Sequence, residues 1–298
     1  MFGSFFCSSA FAVVPSIVYG LMSVSLTFAS QAIYYHFHIS TLTVLLIRSL
    51  FTCLFGFCWL AVFYKSSKMA LTEIGRYIKN YKLIAVLFLP SITTCFWYIG
   101  ISKININIAI LISFLQPILV IVIGKISQKS PVSYGMLFSV LVSFFGVITY
   151  LGLDFKAFNS AIWILICVAA ARAFYQVLVK KALSSNCVPL PMIMFLVNLL
   201  NTILLSFKAG EALSINPKAI PLVLLVLSFS LLYNICYFAA VKLTKHLSSI
   251  QGYDFLRIAY SALFSYVLYH EVLSYQEVLG VAIVIASNIY SYIHNSKK

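Results

Sequence analysis

The sequence predicts an all-α membrane protein with ten transmembrane helices, and three observations support this prediction. Hydrophobic residues make up 62% of the 298-residue chain and charged residues only 9%, whereas an average soluble domain has about 25% charged residues. The mean hydropathy is +1.03. The apolar residues also fall into long runs, and about 20 such residues are needed to carry an α-helix across a bilayer.

Each apolar run is predicted to be a helix, because irregular backbone is not tolerated against lipid. The ten predicted spans are 10–35, 40–64, 83–102, 105–124, 132–152, 160–181, 189–207, 219–241, 246–269 and 275–294. The longest connection runs from Lys65 to Lys82. Its apolar residues, among them Met69, Ile74 and Ile78, alternate with polar ones, which predicts a surface helix on the membrane.

The distribution of lysine and arginine predicts the orientation of these spans. If the N-terminus is cytoplasmic, thirteen of the 20 basic residues lie in cytoplasmic segments and four on the opposite side. Basic residues favour the cytoplasmic side of a membrane. The sequence therefore predicts a multi-pass protein of the cell inner membrane with both termini in the cytoplasm.

The basic residues also indicate which kind of partner the protein contacts. The formal net charge is +14, but the basic residues form short clusters between apolar runs, so the lipid bilayer is the predicted partner and nucleic acid is not. The seven cysteines are scattered without a CxxC motif, and the five histidines lack metal-ligand spacing. No metal and no cofactor are expected. The segment Met1–Ala10 has no basic region before an apolar stretch, so no cleaved signal peptide is expected.

An internal repeat is indicated by two similar segments, 100–117 and 239–258. Each combines the end of a helix, a lysine-bearing turn and a helix that opens in small and polar residues. Gly135 and Gly280 each begin the last helix of a half. Because five helices are an odd number, tandem copies insert with opposite orientations. The prediction is two inverted five-helix repeats, 1–152 and 153–298, with a binding site between them near the membrane midplane.

Charged residues inside the spans are candidates for that site. A charge near the centre of a membrane helix costs about 2.5–3.5 kcal/mol on insertion scales, and such residues usually face a cavity. Asp254 and Arg257 are three residues apart and share a helix face. They are interpreted either as a cavity wall that contacts a substrate or as an internal ion pair that neutralises both groups.

The sixth span contributes Arg172 near its middle, with Tyr175 and Gln176 one turn further on. Together with the other charges, Arg172 leaves the interior net positive. Such a site suits a carboxylate or phosphate, because arginine offers a planar two-pronged donor. Alternatively, Arg172 pairs with Asp254 and leaves Arg257 to bind helix-end carbonyls.

Other polar and aromatic residues are weaker candidates. Arg48 contacts substrate or extends to the membrane interface. Gln116, beside Pro117, opens the fourth helix and frees carbonyl groups for a ligand, or marks a simple kink. Tyr253 stacks on a flat substrate or packs in the core. The asparagines of the spans, Asn198, Asn201 and Asn234, are predicted to bridge helices.

The chain resembles the drug/metabolite transporter superfamily, and in particular its EamA-type bacterial members. The segments that carry the resemblance are 44–51, 115–118, 169–181, 253–257 and 269–271, with Gly280 at the usual distance. The resemblance covers roughly residues 10 to 294. It implies two five-helix repeats and transport of amino acids, nucleobases, cofactors or related metabolites, including S-adenosylmethionine in some members.

The predicted function is secondary transport of a small anionic or zwitterionic metabolite by alternating access. One alternative is a membrane enzyme of the transferase type, but six acidic residues without a DxxD or HxxxD motif give it few catalytic groups, so no enzyme is predicted. A non-transporting receptor is a second alternative, disfavoured by the even helix number and the repeat. If transport is coupled to protons, Asp254 is the natural carrier because it is the only acid in a span.

Overall fold

The structure is a computed structural model that describes residues 10–101, 106–128, 134–152, 162–184, 188–207, 217–244, 246–270 and 272–296. Every regular element in these ranges is helical, as predicted. The helices are α1 (Ala10–Phe37), α2 (Thr41–Phe63), α3 (Ser67–Ile78), α4 (Tyr81–Ile101), α5 (Ile106–Ser113), α6 (Leu115–Gln128), α7 (Tyr134–Leu151), α8 (Ile162–Ser184), α9 (Leu190–Ser206), α10 (Ile220–Leu243), α11 (Ser248–Gln251), α12 (Leu256–Tyr269) and α13 (Tyr275–Ser296). Short 3₁₀ turns lie at Pro217–Ala219 and Gly252–Phe255.

The helices coincide with the predicted spans, with two differences. The fourth span is interrupted between α5 and α6, and the ninth is divided into α11, a 3₁₀ turn and α12. Within the described ranges, seven segments are long and apolar enough to cross a membrane, and Leu83–Trp97 and Leu190–Ser206 are shorter apolar helices. The count of ten spans therefore stays a prediction.

The outer surface of the bundle is apolar. Val62 and Ile126 are 76% and 77% exposed, and Phe145 and Leu263 are also more than half exposed. Exposed apolar surface on this scale is unfavourable in water and marks a surface covered by lipid or by another protein. Combined with the long apolar helices, it identifies the chain as an integral membrane protein that crosses the bilayer several times.

The helices pack in antiparallel pairs. In the pair α2–α9, Gly56 lies against the backbone of Phe195, whereas Leu46 and Leu205 share a cluster near the other ends. In the pair α1–α10, Tyr19 contacts Tyr233, while the later part of α1 packs against the start of α10. Further contacts join α8 to α4 and α6, and α1 to α12.

The helices α7 and α13 approach each other closely at two glycines, Gly146 and Gly280. A Cβ on Gly280 would lie 2.6 Å from the backbone nitrogen of Tyr150 and 2.7 Å from the carbonyl oxygen of Gly146. Further along the pair, the hydroxyls of Ser143 and Ser287 are hydrogen-bonded at 2.6 Å. Small residues and short hydroxyl bonds of this kind hold membrane helices together, since lipid offers no hydrophobic driving force between them.

One end of the bundle is tightly packed. The largest cluster of buried apolar residues joins Leu60 near the end of α2, Leu183 near the end of α8 and Met192 near the start of α9. At this end, the Lys180 ammonium of α8 donates hydrogen bonds to the carbonyl oxygens of Lys242 and Thr244. These carbonyls lie at the C-terminus of α10, where a cation is favourable. We call this the packed end.

Candidate functional site

A central cavity of about 320 Å³ lies inside the bundle. Residues of eight helices line it: α1, α2, α4, α6, α8, α9, α10 and α12. Leu45 comes from the first turns of α2 and Leu205 from the last turn of α9. Both belong to the end of the bundle opposite the packed end. The central cavity therefore reaches from the middle of the bundle towards that opposite end, which we call the cavity end.

Three arginines from three different helices line the central cavity. They are Arg48 of α2, Arg172 of α8 and Arg257 of α12. All three are partly buried, and no Asp or Glu is among the described residues that line the cavity. An apolar bundle thus holds a concentration of positive charge, and interactions with charges are stronger there than in water because the effective dielectric constant is lower.

Neighbouring groups hold two of these guanidinium groups in place. The Arg257 Nε donates a hydrogen bond of 3.0 Å to the main-chain oxygen of Asp254, and its Cζ lies 5.1 Å from the centre of the Phe114 ring. The Cζ of Arg172 lies 5.1 Å from the centre of the Trp97 ring. A guanidinium over an aromatic face is stabilised by the ring quadrupole. Because the hydrogen bond uses one of the five N–H donors of Arg257, four remain for other partners.

Asp254 lies outside the central cavity. It lines a separate pocket of about 10 Å³, which we call the side pocket, together with Tyr19, Gln176 and Gln251. Among the described residues, the ion pair within 4.0 Å is Arg76–Glu73 on α3, and Asp254 forms none. The direct ion pair of the sequence interpretation is therefore not formed, and Arg257 binds the main chain of Asp254 instead of its carboxylate.

Five of the eight predicted site residues come together in the central cavity: Arg48, Gln116, Arg172, Tyr175 and Arg257. The other three do not line it. Gln176 and Asp254 line the side pocket, and Tyr253 is only 7% exposed and packs in the largest apolar cluster. Whether any of the eight binds a ligand stays a prediction.

Gln116 and Gln176 connect the central cavity with the side pocket. The Gln116 Nε2 donates to the Gln176 Oε1 at 3.3 Å, which joins α6 to α8. Gln116 lines the central cavity, while Gln176 is 3% exposed and lines the side pocket. The two sites are therefore joined by a direct hydrogen bond between a partly buried and a buried polar side chain.

Both interrupted spans deliver a polar residue to the central cavity. After one interruption the chain reads Phe114-Leu115-Gln116, and after the other it reads Phe255-Leu256-Arg257. The rings of Phe114 and Phe255 stack at a centroid distance of 5.3 Å with an interplanar angle of 19°. The two interruptions thus meet inside the bundle, and Gln116 and Arg257 occupy corresponding places after them.

Several lining residues were not predicted as site residues. Tyr19, Tyr233 and Tyr237 line the central cavity, as do the three asparagines Asn198, Asn201 and Asn234. The sequence assigned these asparagines to contacts between helices. In the structure, the amides of Asn198 and Asn234 each donate to a carbonyl of their own helix, at 2.8 Å. The asparagines could have been recognised as cavity residues, because an amide is unusual in an apolar helix. The tyrosines could not, because the chain has so many aromatic residues.

Side chains of the types that usually bind metals do not cluster in the described part of the chain. No group of three or more His, Cys, Asp or Glu side chains is close enough there to hold a metal ion. The polar chemistry of the central cavity therefore comes from guanidinium, amide, phenol and hydroxyl groups. These are groups that bind and orient a ligand by hydrogen bonds and charge.

Comparison with known proteins finds a similar fold but does not indicate a function. No family model matches the chain, and no curated protein matches it. A solved structure described as "Crystal structure of protein" matches with a TM-score of 0.74 and 12% sequence identity, covering 97% of this chain and 99% of the other. The chain is thus similar in fold, over almost its whole length, to a protein whose structure has been solved.

Proposed function

We propose that the chain is a secondary transporter that binds a small organic anion in the central cavity and moves it across the membrane by alternating access. The observation that carries the proposal is the convergence of Arg48, Arg172 and Arg257, from three separate helices, on one cavity. Arginine in a membrane span is costly. Three at one cavity are best explained by a ligand that offsets their charge.

The chemistry of the lining favours an anion with a flat ring. Arginine binds carboxylate and phosphate groups with paired hydrogen bonds, and Trp97, Tyr233 and Tyr237 provide aromatic faces. The cavity volume, about 320 Å³, lies near the lower limit of typical ligand sites. Among the predicted metabolites, an anionic one fits this charge better than S-adenosylmethionine, whose sulfonium is positive.

The packing of the helices supports alternating access through two inverted five-helix repeats. Two inverted repeats, α1–α7 and α8–α13, would be related by a two-fold axis. Such an axis would exchange the contact of α1 with α10 for that of α8 with α4, and the contact of α1 with α12 for that of α8 with α6, and all four contacts are present. The antiparallel pairs α2–α9 and α7–α13 then lie across the axis, as do the two helix interruptions. Interrupted helices at a repeat interface are typical of transporter binding sites.

The resemblance to EamA-type members of the drug/metabolite transporter superfamily agrees with this proposal. We further propose that the chain lies in the cell inner membrane with both termini in the cytoplasm, because the basic residues favour that orientation. The central cavity then reaches towards the outer side.

The proposal is tested by uptake into proteoliposomes of two labelled compounds that share adenosine but differ in charge, adenosine monophosphate (AMP) and S-adenosylmethionine. We expect AMP to be taken up in preference. Arg257→Ala should reduce AMP uptake at least about tenfold, since hydrogen bonds to charged groups contribute roughly 1.5–3 kcal/mol. Labelled tryptophan extends the comparison to a zwitterion with a flat ring.

The matched control is Arg76→Ala, which removes an arginine from the surface helix α3, where it pairs with Glu73. This variant should transport as the wild type does. The proposal is wrong if none of the three compounds is bound or taken up, or if Arg257→Ala and Arg172→Ala variants that remain folded in the membrane transport as well as the wild type.

A further inference from the structure

We infer that the side pocket is a proton-binding site centred on the Asp254 carboxylate, and that a proton bound there strengthens anion binding in the central cavity. The inference rests on the proposed function and adds to it the coupling ion and the sign of the coupling. It assigns the protein as a proton–anion symporter.

The side pocket has the composition of a small hydrated proton site. Its volume, about 10 Å³, is close to the minimum that one water molecule requires. Gln251 is 1% exposed, and its Oε1 has no hydrogen-bond partner among the described residues. A buried acceptor of this kind is costly unless a donor reaches it. A water molecule or the proton of a neutral Asp254 carboxyl provides such a donor.

Asp254 is also the one described acid whose surroundings lie inside the bundle. The other described acids are Glu73 on the surface helix α3 and Glu277, a partly exposed residue that accepts a hydrogen bond from the Ser274 amide at the start of α13. No base lies within 4.0 Å of Asp254 in the described part of the chain. Its carboxylate is therefore not held ionised by a close ion pair.

The titratable groups that face Asp254 are few. They are Arg257 from α12 and the phenols of Tyr19 from α1 and Tyr237 from α10. Neutral amides face it from α8 and α11, as Gln176 and Gln251. The helix α7 carries no charged residue. On α13, Tyr292 faces Tyr253 and not Asp254. Among the described residues, the pocket therefore has no second group that would take up a proton in place of Asp254.

Shared residues link the side pocket to the central cavity. Tyr19 and Tyr237 line both, so they form the wall between the two. Arg257 lines the central cavity and binds the main-chain oxygen of Asp254. A change of charge on Asp254 is therefore felt by the guanidinium that is proposed to bind the anion.

The sign of the coupling follows from these charges. An ionised Asp254 offsets part of the positive charge of Arg257 and so weakens anion binding. When Asp254 takes up a proton, it no longer offsets the positive charge of Arg257, and anion binding becomes stronger. Linkage is reciprocal, so a bound anion also strengthens proton binding. Proton and anion are therefore bound together and released together.

The test measures AMP binding to the purified full-length protein, as the pH is lowered from mildly alkaline to mildly acid. The affinity of the wild type should rise about tenfold relative to that of Asp254→Asn, within the usual range of allosteric coupling. The titration of the AMP phosphate, whose second pKa is about 6, is common to both proteins. Asp254→Asn, which keeps the shape of the neutral carboxyl, should bind AMP with only the pH dependence of this phosphate. It should also exchange AMP across proteoliposomes but lose accumulation driven by a pH gradient. Glu277→Gln is the control and should behave as the wild type does.

A second measurement uses the wild type without any ligand. Infrared difference spectra between acid and alkaline pH should contain a protonated carboxyl band that Glu277→Gln retains and Asp254→Asn lacks. The inference is overturned if this band is absent from the wild type, or if AMP binding has the same pH dependence in Asp254→Asn as in the wild type. AMP transport without any pH coupling would contradict the proton site but leave the proposed function intact. Failure to bind AMP, tryptophan or S-adenosylmethionine at any pH would contradict the proposed function. In that case the infrared band would still decide whether Asp254 binds a proton.

Discussion

The hydroxyl of Tyr175 is a buried polar group that receives no hydrogen-bond partner from the described part of the chain. Tyr175 is 6% exposed and lines the central cavity, and its hydroxyl has no hydrogen-bond partner among the described residues. Leaving such a group unpaired costs about 1–3 kcal/mol. A ligand in the cavity that accepts from this hydroxyl would remove the cost.

Tyr175→Phe separates these two roles. Without ligand, we expect the variant to be as stable as the wild type or more stable by about 1 kcal/mol, because an unsatisfied group is removed. Its AMP affinity should fall about tenfold, since a bond to a charged group is lost. Thermal unfolding with and without AMP measures both effects. Tyr275→Phe, at an 82% exposed position, is the control, and equal AMP affinities of the two variants would contradict the prediction.

The charged residues of the site were easier to predict from the sequence than the places that their side chains occupy. The arginines stand out because a charged residue in an apolar run is costly and therefore indicates a specific role. The separation of Asp254 from Arg257 could not be predicted, because helical spacing places two Cα atoms on one face without determining where a long side chain extends. Tyr19 and Tyr237 were missed because aromatic residues make up 16% of the chain, and nothing in the sequence distinguishes those that face the cavity.

At the scale of the helices, the α7–α13 contact depends on the absence of a side chain at one residue. Gly280→Ala places a Cβ 2.6 Å from the Tyr150 backbone nitrogen, so the two helices must separate. We expect a loss of about 1–3 kcal/mol in the free energy of unfolding, as is typical of overpacking. Denaturant unfolding in detergent measures it. Gly75→Ala is the control, because a Cβ there has no atom within 4 Å.

If Gly280→Ala is no less stable than Gly75→Ala, the close approach of α7 and α13 is wrong.

The helix ends themselves were predictable, because each apolar run ends where charged or polar residues begin. The interruption before Gln116 follows from Pro117, which lacks the N–H that a continuous helix would use. The interruption at Gly252–Phe255 has no proline, and a lone glycine in an apolar run was too weak a signal to predict it.

In the molecule as a whole, most of the described basic residues outside the central cavity lie at the end of the bundle opposite the one that the cavity reaches. The described basic residues at the packed end include Lys79 near the end of α3, Lys181 of α8 and Lys242 of α10. The central cavity reaches the other end, where α2 begins and α9 ends. If the basic residues of the packed end lie on the cytoplasmic side of the membrane, the described conformation is open towards the outside and closed towards the cytoplasm.

Cysteine labelling in intact cells tests this orientation. In a background without the native cysteines, a membrane-impermeant thiol reagent should label Asn201→Cys in the central cavity, because that residue is reached from outside. Lys79→Cys, on the exposed connection after α3, should react only after the cells are permeabilised. AMP added beforehand should protect Asn201→Cys and leave Lys79→Cys unaffected, since the anion fills the cavity. The reverse labelling pattern would place the termini outside, and the basic residues would then no longer predict the topology.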